Sequence, residues 1–499
     1  MKKRVLSLLL ASTMAVGALS AGTCVASAEE SEPDHIIMTY LTTGSTPADL
    51  EMVQDAVNEI SIAEINVEVE FKVISISETF TNYSLWVASG EQVDLMCIAF
   101  QSLNTYANSG QILALDEYLE SDGTYISELA EEFPLYDGAV INGSTYGVTP
   151  VMPCYGFRGG MVIREDYFEE LGVEQQDQYT WDEITEILTA VKENHSDCYP
   201  ACILGSSIGS TATNYGFFAE LDYLGASSAS GVLTSADSTE IVNIYATEEY
   251  KEFLYLMREW YELGLILPDA ATTDSTATEL MSSGKTCANP MNQQPVQLLT
   301  EASYGWNSVS LNMTEGYYPS ASASAGTYWT IPITSENPEA AMKFLNLMYE
   351  NQDVADLLKT GIEGVHYVTT DEDYVVAYPD GITSENTTYY EPLGLYGDRR
   401  YELAYSAGAS IEENDAWTAN NLSKQYMSVG YNYDTSNMTN QIIAVNSVLD
   451  QYLPSLETGS VEDVDTIYEQ FLSALEVAGI NDIIADNQAQ FDAWLAENN

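Results

Sequence analysis

Between residues 35 and 99 the chain switches repeatedly between two hydrophobic periods, and that switching limits the folds open to it. His35-Ile-Ile-Met-Thr-Tyr40 reads as a buried strand. A Thr/Gly/Ser loop covers 41–47. Residues 48–60 then place Leu50, Val53, Ala56, Val57 and Ile60 at helical spacing, with Thr46 or Pro47 at the start. Residues 65–76 read as a second strand through Val67, Val69, Phe71, Val73 and Ile74, and 80–88 as a second helix. Residues 93–99 read as a third strand, apolar except for Asp94. Strand, helix, strand, helix, strand implies an α/β fold, a parallel sheet with helices on both faces. Ligands of such sheets sit beyond the carboxyl ends of the strands. Here those ends are the loop after Tyr40, the loop at 75–77, and Phe100-Gln101-Ser102.

The first 28 residues are set aside from the fold. Lys2, Lys3 and Arg4 precede an apolar run from Val5 to about Leu19, and Ala26-Ser27-Ala28 offers the small residues that a signal peptidase reads. Cleavage after Ala28 is the first expectation. Lipidation at Cys24, in Ala21-Gly22-Thr23-Cys24, is the second, and it would hold the domain on the outer face of a membrane. The remaining length suits two or three domains.

Charge excludes whole classes of partner. The chain carries 76 acidic residues against 15 basic ones, a net −61. That field repels phosphate backbones and anionic headgroups, so nucleic acid is not expected as a partner. An anionic ligand would need a local Arg cluster, and Arg399-Arg400 is the only adjacent Arg pair after the leader. The acidity reads as solvation of an exported surface. Asp371-Glu372-Asp373 and Asp122-Gly123 lack the spacing of a calcium loop. Cys97, Cys154, Cys198, Cys202 and Cys287 are an odd set once Cys24 is removed, which argues against a full disulfide framework. Cys198 and Cys202 could close a local loop, with the pairing open. His35, His195 and His366 are far apart and no zinc spacing occurs. No metal or cofactor is expected.

Catalytic motifs carry no weight either. No His-Glu-x-x-His and no glycine-rich phosphate loop with Lys is present. Gly205-Ser-Ser-Ile-Gly209 resembles a nucleophile elbow but reads better as a flexible loop before Tyr215-Gly-Phe-Phe218. With so many carboxylates some pair always falls at a workable distance, and none stands out by context.

Further along, Tyr146-Gly-Val-Thr-Pro150 and Gly159-Gly160-Met-Val-Ile163 flank Pro153-Cys-Tyr-Gly-Phe-Arg158, a stretch suited to a crossing between lobes. Thr180-Trp-Asp-Glu183 has the capping-box pattern, followed by a stripe of Ile184, Ile187, Leu188 and Val191. Together with Arg164-Glu-Asp-Tyr-Phe-Glu-Glu-Leu-Gly172, Ser283-Gly-Lys285 and Ile331-Pro-Ile-Thr-Ser-Glu-Asn-Pro338 running on to Leu345, this order resembles the type 1 extracellular solute-binding proteins of bacterial ABC importers. Gly361-Ile-Glu-Gly-Val-His-Tyr367, Tyr431-Asn-Tyr-Asp-Thr-Ser436, Ala478-Gly-Ile480 and Phe491-Asp-Ala-Trp494 are similar to a Gram-positive, lipoprotein-like, carbohydrate-binding branch. The resemblance covers nearly all of the chain after the leader. It implies a two-lobed periplasmic-binding-protein-like fold of type II, with a hinge between lobes and a helical C-terminal region. Lobe 1 is expected over 33–150 plus about 308–355. Lobe 2 is expected over 151–307 plus about 356–499.

The function implied is capture of a neutral solute, an oligosaccharide first, by a monomer that delivers it to the permease subunits of an ABC transporter, without catalysis. A peptide or cationic solute in the same fold is the alternative, and an exported glycan hydrolase ranks lower. The chain has 35 tyrosines and seven tryptophans, and flat rings suit the apolar faces of sugars. Candidates at strand ends and lobe crossings are Tyr40, Phe100, Gln101, Tyr155, Arg158, Tyr215, Asn292, Trp306, Trp329 and Glu363. Trp181, Trp260, Tyr261 and Trp494 lie in helical patterns and read as packing.

Overall fold

The computed structural model describes residues 32–498 except 100, 102, 137, 206–212, 225–227, 296–305, 319–325, 385 and 406–407. The leader segment and Phe100 lie outside the described residues.

The opening alternation folds as β1 (Asp34–Thr42), α1 (Leu50–Ile65), β2 (Val67–Ser75), α2 (Ile76–Ser89) and β3 (Met96–Ala99). β1 and β2 are parallel, in register from Asp34 opposite Val67 to Thr42 opposite Ser75. β3 flanks β1 on the other side through a parallel bridge between Met38 and Leu95. β1 is therefore central and buries Met38, Thr39, Tyr40 and Leu41 in succession. β2 alternates instead: Val67, Val69 and Phe71 face inward while Glu68 and Glu70 guard the edge. α1 runs on to Ile65, past the expected end, and stops where Asn66 turns left-handed (φ 55°). α2 begins earlier than its apolar spacing suggested, because Ser75 and Glu78 form a capping box directly after β2.

A fourth strand departs from the parallel expectation. Thr327–Thr330 pairs with β3 antiparallel, Thr327 opposite Ala99. It comes back from the other lobe and enters beside the carboxyl end of β3, so it runs in the opposite direction.

Asp94, the polar exception in the third strand, is fully buried. One oxygen accepts from Ser335 Oγ (2.7 Å) and from the backbone N–H groups of Glu336 (2.8 Å) and Asn337 (3.2 Å). The other accepts from Ile37 N (2.9 Å) and Gln92 Nε2 (2.9 Å). It joins β1 to the start of the helix Pro338–Glu350, where the helix N-terminus favours an anion.

Apolar side chains gather into two cores. The first takes residues 36–155, Tyr318, and 328–396. The second takes 161–311, Tyr317, and 426–491. The strand Ser308–Asn312 pairs with Gly160–Arg164 in the second lobe. The helix Gln352–Thr360 and Tyr389, Leu395 and Tyr396 belong to the first core. The last crossing thus follows Tyr396, later than the expected 356, because the apolar face of Gln352–Thr360 is buried against the first lobe.

The helical C-terminal region packs on the second lobe. Val445, Leu449, Leu453 and Leu456 of Thr439–Glu457 meet Val464, Tyr468, Phe471 and Leu475 of Val464–Ala478 in one core. Thr180 caps Trp181–Asn194 as its sequence predicts, with Ile184, Ile187, Leu188 and Val191 buried.

The crossings meet at one place. Phe157 and Tyr317 exchange backbone hydrogen bonds (both 3.1 Å) and their rings meet edge-on at 4.9 Å. Their sequence neighbours Tyr155 and Tyr318 pack edge-on at 6.0 Å in the first core. Gly156 lies between, at φ +76°, where a Cβ would stand 2.5 Å from Asn421 Cβ and 2.6 Å from Tyr317 O. Asn421 sits in the helix Ile411–Leu422, the third crossing element. Trp417 Nε1 donates to Gly156 O (3.3 Å) and Thr418 Oγ1 accepts from Tyr155 N (3.1 Å).

Candidate functional site

The carboxyl end of β1 opens into a cavity of about 420 Å³. One wall is Tyr40 and the β1–α1 loop, Thr42-Thr43-Gly44-Ser45-Thr46. The other is Ser384 and residues 387–392. Tyr40 is 1% exposed and stacks on Phe71 at 5.6 Å. Its hydroxyl is buried beside that of Tyr389, whose ring lies 6.4 Å away, and burial raises its pKa well above the ordinary tyrosine value.

The two walls are tied together behind the cavity. Asp49 Oδ2 accepts from Thr388 Oγ1 (2.5 Å) and lies 3.3 Å from His366 Nε2. Both contacts, Thr388 first, lower the Asp49 pKa. Ile362 N donates to His366 Nδ1 (2.9 Å), so Nδ1 is the acceptor and Nε2 carries the proton toward Asp49. Tyr389 OH donates to Leu358 O (2.7 Å), and its ring lies against His366 at 5.5 Å. Glu391 is buried and accepts from the N–H groups of Leu393 and Gly394; burial raises its pKa.

Among the described residues, the lining offers hydroxyls, three tyrosine rings and one carboxylate that the backbone already holds. It offers no Lys, Arg or His side chain. Elsewhere, among the described residues, each Lys and Arg except Lys192 and Lys285 is ion-paired with a carboxylate. Such a surface can bind polar uncharged groups and flat apolar faces. It presents no cationic side chain of its own to pair with an anion.

The remaining sequence candidates are spread around the cleft and beyond it. Gln101, at the carboxyl end of β3, donates to Thr79 Oγ1 (2.9 Å) and accepts from Tyr106 OH (2.7 Å). Tyr155 is a crossing residue. Arg158 exchanges backbone hydrogen bonds with Gln293, next to Asn292, and its guanidinium is spent on Asp177 Oδ1 (2.9 Å), Asp177 O (2.8 Å) and Thr314 O (2.8 Å). Asn292 keeps a buried Oδ1 without a partner. Tyr215 lines a separate second-lobe cavity of about 290 Å³ with Trp181, Glu249, Glu252 and Phe253. Trp306 Nε1 donates to Ser282 Oγ (3.2 Å), at the far end of the strands from the crossing. Trp329 is fully buried in the first core, its Nε1 donating to Leu395 O (2.7 Å). Glu363 is exposed and accepts from Thr369. The structure thus brings Arg158 and Asn292 together and leaves Trp306 and Glu363 apart. Sequence reasoning passed over residues 384–392. Their one signal is the run Thr387-Thr388-Tyr389-Tyr390-Glu391, which no periodicity links to Tyr40.

The sequence pattern of the bacterial extracellular solute-binding proteins matches residues 50–355, more than half of the chain. The chain belongs to this family. A domain of unknown function, DUF3502, matches 427–496, the C-terminal helices. A carbohydrate ABC transporter substrate-binding protein of Streptococcus pneumoniae serotype 4 is 20% identical over 477 residues, 91% of this chain and 89% of its own length. The crystal structure of an N-glycan transport solute-binding protein, NgtS of S. pneumoniae, aligns over 93% of this chain and 100% of its own, with 20% identity and a TM-score of 0.79. The same protein in complex with Man1GlcNAc aligns over 93% of this chain and 100% of its own, with 19% identity and a TM-score of 0.70. The fold of this family member is accordingly the two-lobed type II solute-binding fold, with the cavity described above at a strand end of its first lobe.

Proposed function

We propose that the chain captures an uncharged oligosaccharide between its lobes and passes it, chemically unaltered, to the permease subunits of an ABC importer. The observation that carries this reading is the cavity at the carboxyl end of β1, rich in hydroxyls and tyrosine rings and free of cationic side chains. Membership of the solute-binding family, and whole-length structural likeness to an N-glycan transport solute-binding protein solved also with Man1GlcNAc and Man5GlcNAc, support it. Closure of the two lobes about the crossing would bring second-lobe groups such as Asn292 onto a ligand held at Tyr40. The leader pattern supports export, and the intact mass of the native protein distinguishes a lipidated Cys24 from cleavage after Ala28.

A thermal-shift screen of the mature protein against neutral N-glycan fragments and other oligosaccharides tests the reading. A true ligand at a hundredfold its Kd adds about 2.7 kcal/mol of stability. Silence across the panel sinks the proposal, as does release of a cleaved glycan. Tyr40→Phe removes one hydroxyl and leaves the ring stack on Phe71 and the Tyr389 bond to Leu358 O in place, so the variant is expected to keep its melting temperature. Its affinity for the ligand found is expected to fall about tenfold, read by calorimetry.

A further inference from the structure

The second lobe holds three buried cysteines, Cys198, Cys202 and Cys287. Sequence spacing allowed a local Cys198–Cys202 loop and left the pairing open; the fold offers a different pair. Cys198 sits just beyond the helix Trp181–Asn194, after the exposed turn residues Ser196 and Asp197. Cys287 immediately precedes the strand Ala288–Pro290. The two segments run side by side: Tyr199 N donates to Lys285 O (2.9 Å), Cys287 N to Pro200 O (3.1 Å) and Ala288 N to Pro200 O (2.8 Å). Cys287 Sγ also lies 3.7 Å from Pro200 O. The Cys198 and Cys287 side chains come near enough across these segments to influence each other, whereas Cys202 lies further along, its N–H donating to Ala288 O (2.7 Å).

Three of this acidic chain's few cations surround that pair. Lys192 Nζ donates to Cys198 O (2.8 Å) and Ser196 O (2.8 Å), and Lys285 lies over the Tyr199 ring at 4.9 Å. Arg164, whose backbone N–H donates to Cys287 O (2.8 Å), completes the set. The Cys287 thiol first, then these cations, lower the Cys198 pKa below the usual thiol value. Bonding to Cys198 and burial raise that of Cys287. Cys198, directly after the exposed turn and with Lys192 at its carbonyl, is placed as the attacking thiolate and Cys287 as the resolving thiol.

We propose that Cys198 and Cys287 are a reversible disulfide pair of the exported protein, closed by thiol–disulfide exchange with a low-molecular-weight disulfide. The Cys198 thiolate attacks one sulfur of that disulfide. Its S–S bond breaks, and the departing thiolate takes up the proton that Cys198 gave up. The Cys287 thiolate then attacks the Cys198 sulfur of the mixed disulfide, and the second small thiol leaves with the Cys287 proton. One small disulfide is reduced to two thiols while two protein thiols are oxidised to one disulfide. The cross-link ties the end of Trp181–Asn194 to the strand leading toward Asn292 and Gln293 and closes a long loop, which restricts the unfolded chain.

The test uses the full mature chain, incubated with oxidised or reduced glutathione, acid-quenched, alkylated and mapped by mass spectrometry. Oxidation is expected to remove alkylation at Cys198 and Cys287 together and to yield one peptide pair lighter by two hydrogens, restored by dithiothreitol. The melting temperature of the oxidised form is expected to rise by at least about 5 °C. Cys287→Ser is expected to trap glutathione on Cys198, and Cys202→Ser to cross-link as the native chain does. Both thiols remaining alkylatable after prolonged oxidation, or a Cys198–Cys202 peptide in place of the expected one, would overturn the proposal.

Discussion

Glu457 lies in the second core with no exposed surface. Its carboxyl accepts from Asn214 N (2.7 Å) and Tyr250 OH (2.9 Å), and burial pushes its pKa up to about 8. The folded state therefore holds a proton that the unfolded chain releases near the ordinary value of 4.5. Its contribution is complete below that value and is lost as pH rises towards 8, by about tenfold in the folding equilibrium per pH unit. Glu457→Gln keeps the shape without the titration. The variant should melt with a flatter pH dependence than the native protein between pH 5 and 8, with the gap closing in acid; parallel slopes would refute the assignment. Asp94 differs in its surroundings, with five donors around its two oxygens. Asp94→Asn turns an amide NH2 toward backbone N–H groups, which only donate, and should cost about 3 kcal/mol. Trp329 lies opposite Cys97 on the neighbouring strand, so its fluorescence reports the lowered urea midpoint. At this scale the sequence marked Asp94 as the one polar residue in an apolar strand, and position among strong hydrophobes made it visible. Glu457 ends a polar-looking Ser-Leu-Glu string, and nothing local in it signals burial, because Asn214 and Tyr250 come from more than two hundred residues away.

Elements were legible wherever a local rule generates them. The opening alternation, the Thr180 cap and the stripe after it follow from periodicity and capping alone. The antiparallel Thr327–Thr330 strand was not, because its direction depends on the chain's route through the second lobe. The same holds for the wall at 387–392, which meets Tyr40 through the Tyr389 ring and is tied behind it by Asp49 and His366. The crossing can be tested through its glycine. Gly156→Ala adds a Cβ against Asn421 and the Tyr317 carbonyl at a left-handed φ, and backbone on one side cannot yield cheaply. It should lower stability by about 2–3 kcal/mol and weaken ligand affinity, because both crossing segments must shift. Gly172→Ala is the control. It has φ +64° with open space around it and should cost about 1 kcal/mol without changing affinity. Equal effects of the two substitutions, read by thermal melting and calorimetry, would show that the contact with Asn421 and Tyr317 is unimportant.

At the scale of the molecule, a net charge of −61 acts on everything that approaches and on the fold itself. Like charges repel, so adding salt should raise the melting temperature from its value in dilute buffer, most steeply where the Debye length shrinks from about 30 to about 10 Å. Ligand capture responds differently according to the ligand's charge. The first-lobe cavity has no cation to recruit an anion, and a neutral glycan feels no net force from the field. Its association rate, followed by stopped-flow fluorescence, should change less than about twofold between 10 mM and 500 mM NaCl. A cationic solute would be steered inward at low salt and would associate at least about tenfold more slowly at high salt. A steep fall would therefore move the reading from a sugar to a positively charged guest while leaving the two-lobed fold and its crossing intact. A flat profile combined with a salt-dependent melting temperature would separate the two roles of the acidity, with repulsion acting on the fold and not on the ligand.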